Sequence, residues 1–205
     1  MRNLANFISY LFHPLLTTTY VVALLVLFYP ELAGQVSEGM QWPLIFVFFI
    51  LTFVLPSVML FTLKVTATIT SFHLYDQKER TWPIAFSIVF YGITTYFILY
   101  KFMLPGVFIG IMVGITTTMI ILLIVNFFWK ISAHGMSSWG MIGIIFALHQ
   151  LSPESGLLLP LLSSILIAGL VSSARLYLNA HNPAQIYMGG IVGFIICYLG
   201  IHLMY

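Results

Sequence analysis

Long apolar segments account for most of this 205-residue chain and leave very little charge to cover a surface in water. Only 6% of the residues are charged, whereas 61% are hydrophobic. Soluble domains carry about 25% charged residues, so the sequence predicts a membrane protein and excludes a soluble enzyme or a disordered chain. A net charge of +2 is also too small for a surface that binds nucleic acid.

Seven apolar segments approach or exceed the length needed to cross a bilayer, which takes about 20 residues of helix. They predict an all-α, polytopic membrane bundle of six to seven transmembrane helices, forming a single domain over residues 1–205. The fifth and sixth segments are shorter and more polar, which predicts that both lie inside the bundle and not against lipid. The segments cover residues 6–28, 43–63, 84–104, 106–128, 135–151, 157–175 and 184–204.

Most ionisable residues fall in three short loops, at 64–83, 129–135 and 175–185. Because successive spans run in opposite directions, counting the crossings places all three loops at the same face of the membrane. Ionisable residues are costly there and are functional candidates by default. Arginine, lysine and serine are suited to holding a phosphate, and histidine can act as nucleophile or general acid. The candidates are His134, His181, Arg80, Arg175, Ser132, Lys78 and Lys130.

The three loops resemble the signatures of a known family of integral-membrane lipid phosphatases. Arg175, five further residues and His181 match the third signature of the type-2 phosphatidic acid phosphatase superfamily, Ser-Arg-x5-His-x3-Asp. Ser132-Ala133-His134 resembles the second signature, Pro-Ser-Gly-His, and Arg80-Thr81-Trp82-Pro83 loosely resembles the first, Lys-x6-Arg-Pro. The three stretches occur in the family's order and together extend over residues 73–185.

This resemblance implies a phosphatase that acts on a lipid phosphate or a lipid diphosphate. His181 would attack phosphorus and form a phosphohistidine, and His134 would protonate the leaving group. Arg175, Arg80 and Ser132 would hold the phosphoryl oxygens. The resemblance implies neither a metal nor another cofactor, and it places the lipid tail of the substrate between helices.

The chain departs from the family pattern around these residues. Gln185 stands where the family has the Asp that orients the nucleophilic histidine, and His73 stands where the first signature has its Lys. A glutamine can accept a hydrogen bond from the imidazole but cannot stabilise an imidazolium by charge. Lys78 or Lys130 could supply the missing positive charge. Two hypotheses therefore stay open: a divergent active phosphatase, or a lipid-phosphate binding or transport protein that has lost turnover.

A metal site built from His73, Asp76, His134 and His181 is a weaker alternative, because the nearby arginine and lysine side chains would repel a cation. Other polar residues of the spans receive structural interpretations: His13 as a packing or capping group, and Asn126 as a hydrogen-bonding partner between helices. Gly189 and Gly193 form a small-xxx-small pair, which predicts close helix packing within the bundle or in a homodimer.

The compartment and the side of the membrane follow from weaker signals. The compact chain without soluble tails favours the plasma membrane of a prokaryote. The excess of basic residues in the three loops favours a cytoplasmic site under the positive-inside rule. The family resemblance favours an extracytoplasmic one, so both sides remain open.

Overall fold

The computed structural model describes residues 1–72, 74, 76–102 and 104–205, and the regular secondary structure in them is helical. Five of the eight helices in this part of the chain are long and apolar enough to cross a membrane, or six if α1 and α2 form one span. This confirms the predicted helical membrane bundle. The helices are α1 (Arg2–Leu11), α2 (Pro14–Phe28), α3 (Glu38–Val65), α4 (Lys78–Phe102), α5 (Gly106–Asn126), α6 (Ala133–Leu151), α7 (Leu158–Tyr177) and α8 (Pro183–Met204).

The first predicted span, over residues 6–28, is not one continuous helix. It is broken between α1 and α2, whose axes differ by 57°. His13 has an extended backbone and caps α2, and Pro14 occupies the first helical position. Proline has no amide hydrogen to donate and fits best at the start of a helix, so the helix begins anew there.

Contacts between loops define the two ends of the bundle. At one end, Tyr29 donates a hydrogen bond to the Gly156 carbonyl at 3.5 Å, and the hydroxyls of Ser152 and Tyr205 lie 3.3 Å apart. The loops at 64–83, 129–135 and 175–185 meet one another at the opposite end. The predicted convergence of the three polar loops is therefore confirmed.

The prediction that the fifth and sixth spans are enclosed is right for α6 and wrong for α7. Helix α6 packs against both α7 and α8, and its glycines face α8. Helix α7 instead presents a row of exposed leucine and isoleucine side chains on its outer surface. These residues are Leu158, Leu159, Leu162, Ile165, Leu166 and Leu170.

Glycines allow α8 to approach α6 closely. A Cβ added at Gly189 would lie 2.8 Å from the Ser132 carbonyl oxygen, and one at Gly193 would overlap the backbone of Met136. Backbone cannot move aside as a flexible side chain can. The small residues predicted for helix packing therefore act within the bundle.

Gly193→Ala should destabilise the protein by about 1–3 kcal/mol, because α6 and α8 must separate to admit the methyl group. Gly169→Ala is the matched control, since its added Cβ meets nothing within 4 Å. That control should be neutral or slightly stabilising, because alanine favours a helix more than glycine does. Thermal unfolding in detergent measures both, and equal Tm values for the two variants would contradict the packing argument.

Candidate active site

A cavity of about 190 Å³ lies beneath the point where the three polar loops meet. Five candidate residues from the sequence line it together, although they come from three separate loops. None of the described residues that line the cavity is Asp or Glu. The five residues are Arg80, Lys130, His134, Arg175 and His181.

Hydrogen bonds from side chains to backbone carbonyls tie the first loop to the end of α5 and to the second loop. The side-chain amide of Gln77 donates to the backbone carbonyl of Asn126 at 2.6 Å. The side-chain amide of Asn126 donates in return to the backbone carbonyl of Gln77 at 3.1 Å. Arg80 Nη1 donates to the Ile131 carbonyl at 3.1 Å. Asn126 thus forms hydrogen bonds between chain segments, as predicted. Its two hydrogen bonds with Gln77 hold in place the turn that positions Arg80 in the cavity.

The second loop is joined to the third by a hydrogen bond of 3.1 Å from the Ser132 amide to the Gln185 carbonyl. Next to this link, Asn182 and Gln185 form a reciprocal capping box at the start of α8. The Asn182 side chain accepts from the Gln185 amide, and Gln185 Oε1 accepts from the Asn182 amide at 3.1 Å. The position of Gln185 is therefore fixed by its own helix cap.

The same oxygen of Gln185 determines which ring nitrogen of His181 carries the hydrogen. His181 Nδ1 lies 3.0 Å from Gln185 Oε1. Because this oxygen already accepts from the Asn182 amide, it must be the carbonyl oxygen of the side chain and can only accept. Nδ1 must therefore carry the hydrogen, which leaves the lone pair of the neutral imidazole on Nε2. This arrangement gives His181 an unprotonated nitrogen to present to a ligand.

The surroundings of His181 favour its neutral form. Burial, and then the positive charge of Arg80, lower the pKa of His181 from 6.5 to about 3, while its hydrogen bond to Gln185 acts in the opposite direction. Partial burial, followed by the charges of Arg80 and Arg175, also lowers the pKa of Lys130. The cavity thus concentrates positive charge without acidic lining residues, which is an environment that favours an anion.

This pKa predicts an acid-dependent loss of stability. Below pH 6.5 the unfolded chain protonates His181 and the folded chain does not, so stability falls as the pH drops from 6.5 toward 3. His181→Asn should therefore tolerate acid better than the wild type over that interval. Tm values of the two proteins in detergent, measured across the interval, test this. Parallel curves would show that His181 is not held neutral.

His134 is held by the N-terminal helix, which the sequence did not predict. Its Nε2 lies 3.1 Å from the Ser9 carbonyl oxygen, and since a carbonyl only accepts, Nε2 carries a hydrogen. The ring of His13 lies edge-on to His134 with 5.7 Å between their centroids, and His13 also lines the cavity. His13 Nδ1 accepts from the Leu15 amide, which confirms the predicted cap. Its place beside the site had no signal in the sequence beyond the His-Pro pair.

Two predicted phosphate ligands lie elsewhere. Ser132 is fully buried, and its Oγ caps α6 by accepting from the Gly135 amide at 3.1 Å. Lys78 is exposed on the first turn of α4, where its own amide donates to Asp76. Neither lines the cavity, because each is used at a helix start.

Among the described residues, no three His, Cys, Asp or Glu side chains group closely enough to hold a metal ion. His73, which the metal hypothesis requires, lies outside the described residues, as do Tyr75 and Met103. No protein-family model, curated protein or solved structure matches this chain. The geometry of the cavity is therefore the basis for assigning a function to this chain.

Proposed function

We propose that this protein is an integral-membrane phosphatase that hydrolyses a lipid phosphate or a lipid diphosphate. One observation carries the proposal: Arg80, Lys130 and Arg175 line a cavity together with three histidines and no described acidic residue. Like charges collected in a partly buried site repel each other, and a bound phosphate would relieve this repulsion. The rest of the lining is largely apolar, which suits a lipid tail.

In the proposed reaction, His181 Nε2 forms a bond to phosphorus as the bond from phosphorus to the leaving oxygen breaks. The tautomer set by Gln185 leaves that nitrogen free to attack. His134 gives a proton to the leaving oxygen. His134 reacts as the imidazolium, which the negative charge of the bound phosphate favours. Because its Nε2 hydrogen is used in the bond to the Ser9 carbonyl, the transferred proton comes from Nδ1 and leaves a neutral imidazole. Water then attacks phosphorus, returns a proton to His134 and releases phosphate from His181.

The three cations would hold the phosphoryl oxygens while charge redistributes among them. Such preorganised electrostatic stabilisation supplies most of the catalysis in phosphoryl transfer. We propose that this chemistry takes place in the plasma membrane of a prokaryote. The side of the membrane can be tested by impermeant labelling of a cysteine introduced at the exposed Lys78.

Phosphate release from a panel of lipid monophosphates and diphosphates in detergent tests the proposal. We expect release by the wild type in the presence of EDTA, because the proposed steps use only side chains of the chain itself. Absence of release from every member of the panel, with the protein folded, would contradict phosphatase activity. It would favour the second candidate, a binding or transport protein, for which the neutral Gln185 is the supporting observation.

The two lysines predicted from the sequence provide a matched pair of variants. Lys130→Met should lower kcat/KM by about tenfold to a hundredfold, since hydrogen bonds to charged groups contribute about 1.5–3 kcal/mol. Lys78→Met should change kcat/KM by less than about twofold, because exposed surface charges contribute little. Steady-state kinetics on one lipid phosphate compares them. An equal loss in both would show that bulk charge attraction, and not contact in the cavity, is responsible.

A further inference from the structure

The cavity extends from its charged end into the apolar interior of the bundle. Its lining on α6 runs from His134 to Ile144, and its lining on α4 runs from Arg80 to Tyr91. Both helices begin at the charged end. At a rise of 1.5 Å per residue, each gives a depth of about 15 Å, roughly half of the hydrocarbon thickness of a bilayer.

The few polar side chains in the deeper part of the cavity are satisfied by other protein groups. Ser87 Oγ donates to the Pro83 carbonyl at 2.8 Å, and Thr118 Oγ1 donates to the Gly114 carbonyl at 2.9 Å. The Tyr91 hydroxyl accepts from Thr18 and lies within 3.3 Å of carbonyl oxygens of α2 and α3. The wall therefore offers mainly carbon to an occupant, and a water-soluble ligand would gain little there.

The cavity ends inside the bundle. At its floor, Tyr91, Ile144 and Cys197 are each no more than 2% exposed. Beyond them, fully buried side chains such as Phe108 and Leu148 fill the other half of the bundle. A tail that enters from the charged end has no described continuation past this floor.

The volume limits the number of tails. An apolar cavity of about 150 Å³ holds one molecule of the size of benzene. The 190 Å³ available here therefore accommodate one slim chain and not two.

We infer that the substrate is a single-chain lipid phosphate whose tail lies in this blind channel, and that the floor at Ile144 limits the length of the tail. The inference rests on the proposed function for the binding of the phosphate group, and it goes further by specifying the kind of lipid tail that the substrate carries. Alkyl and prenyl chains share the chemistry that the channel recognises. Two-chain phosphatidic acid does not fit it.

Phosphate release from octyl, dodecyl, hexadecyl and eicosyl phosphate tests the inference, with farnesyl phosphate and dioctanoyl phosphatidic acid as further arms. We expect kcat/KM to rise about fourfold per methylene while the channel fills, and then to stop rising. The two-chain lipid should be hydrolysed poorly. Farnesyl phosphate distinguishes a preference for prenyl tails from one for alkyl tails of similar length.

Three variants make the test specific to the channel. Ile144→Ala should move the end of the rise to longer chains, and Ser87→Leu, which narrows the channel, should move it to shorter ones. Ile142→Ala is the control, because Ile142 packs on the core without lining the cavity. A rise that continues through the longest chain, an Ile144→Ala profile equal to the wild type, or rapid hydrolysis of the two-chain lipid would overturn the inference.

The inference can fail or hold separately from phosphatase activity. If no lipid phosphate is hydrolysed, the proposed function fails, and the increase in Tm caused by each alkyl phosphate then reports on the channel. The tail site would be supported if the Tm increase grows with chain length up to a certain length and then stops growing. In Ile144→Ala that limiting length should be greater than in the wild type. A Tm increase equal for all lengths would overturn it.

Discussion

Replacing His181 with asparagine should lower the rate of phosphate release by about 10⁴-fold or more. Removing a nucleophile or its base in a covalent mechanism has effects of that order. Asparagine can still donate a hydrogen bond toward Gln185 Oε1, but it offers no nitrogen lone pair to phosphorus. The loss should therefore appear in kcat, while the affinity for the phosphate, which depends on the arginines and Lys130, changes little.

His202→Asn is the matched control, because His202 is exposed near the end of α8, far from the cavity, where its ring contacts Tyr198. It should retain wild-type kinetics. Rapid acid-free trapping with labelled substrate should detect a phosphorylated wild-type protein and none with His181→Asn. If the asparagine variant is folded and keeps more than about a tenth of the rate, water must attack phosphorus directly, and the phosphohistidine proposal is wrong.

The alternation of the spans was sufficient to predict which parts of the chain meet. The number of apolar segments between two polar loops gives the number of times the chain crosses the membrane between them. An even number places the two loops at the same end of the bundle, and an odd number places them at opposite ends. The link from Arg80 to Ile131 and the link from Ser132 to Gln185 follow that prediction. Counting crossings cannot show which side chain of a loop faces the cavity, so Lys78 and Lys130 looked equivalent in the sequence.

Two predictions about the spans were wrong for local reasons: the continuous helix over the first span and the enclosed position of the sixth. Residues 6–28 are apolar throughout, so hydropathy gave no sign of the break at His13 or of the contact from Ser9 to His134, 125 positions away. Helix α7 looked polar because of its serines. Yet Ser164 donates to the Leu161 carbonyl of its own helix, so a serine there does not require a partner from another helix.

Gln185→Leu should lower kcat by between about 10² and 10⁴. Leucine cannot accept from Nδ1 of His181, so the imidazole can rotate or place its hydrogen on Nε2, where it blocks attack. An analogous loss of the correct tautomer costs about 10⁴ in serine proteases. The variant also loses half of the capping box at the start of α8. Asn182→Ala is therefore the matched control, because it removes the Asn182 side-chain cap and leaves the Asn182 amide bonded to Gln185.

The two variants separate the two roles of Gln185. A comparable decrease in Tm with activity lost only in Gln185→Leu would assign the effect to His181, whereas equal losses of activity would assign it to the helix start. Asp in place of Gln185 would restore the residue found in the resembling family, but its side chain is shorter. Glutamate keeps the length and satisfies the capping box equally well.

Gln185→Glu should therefore leave the geometry of His181 in place and add the missing negative charge. A charge-assisted hydrogen bond is roughly twice as strong as a neutral one. Stabilising the positive charge that develops on the imidazole as His181 bonds to phosphorus should raise kcat by about tenfold. It should also raise the pKa of His181, so the acid limb of the rate profile should move to higher pH. If the wild type shows no turnover and the glutamate variant does, the chain holds a phosphatase site that has lost the negative charge beside its nucleophilic histidine. An active wild type that glutamate slows would mean that a neutral amide is the better partner for this histidine among so many cations.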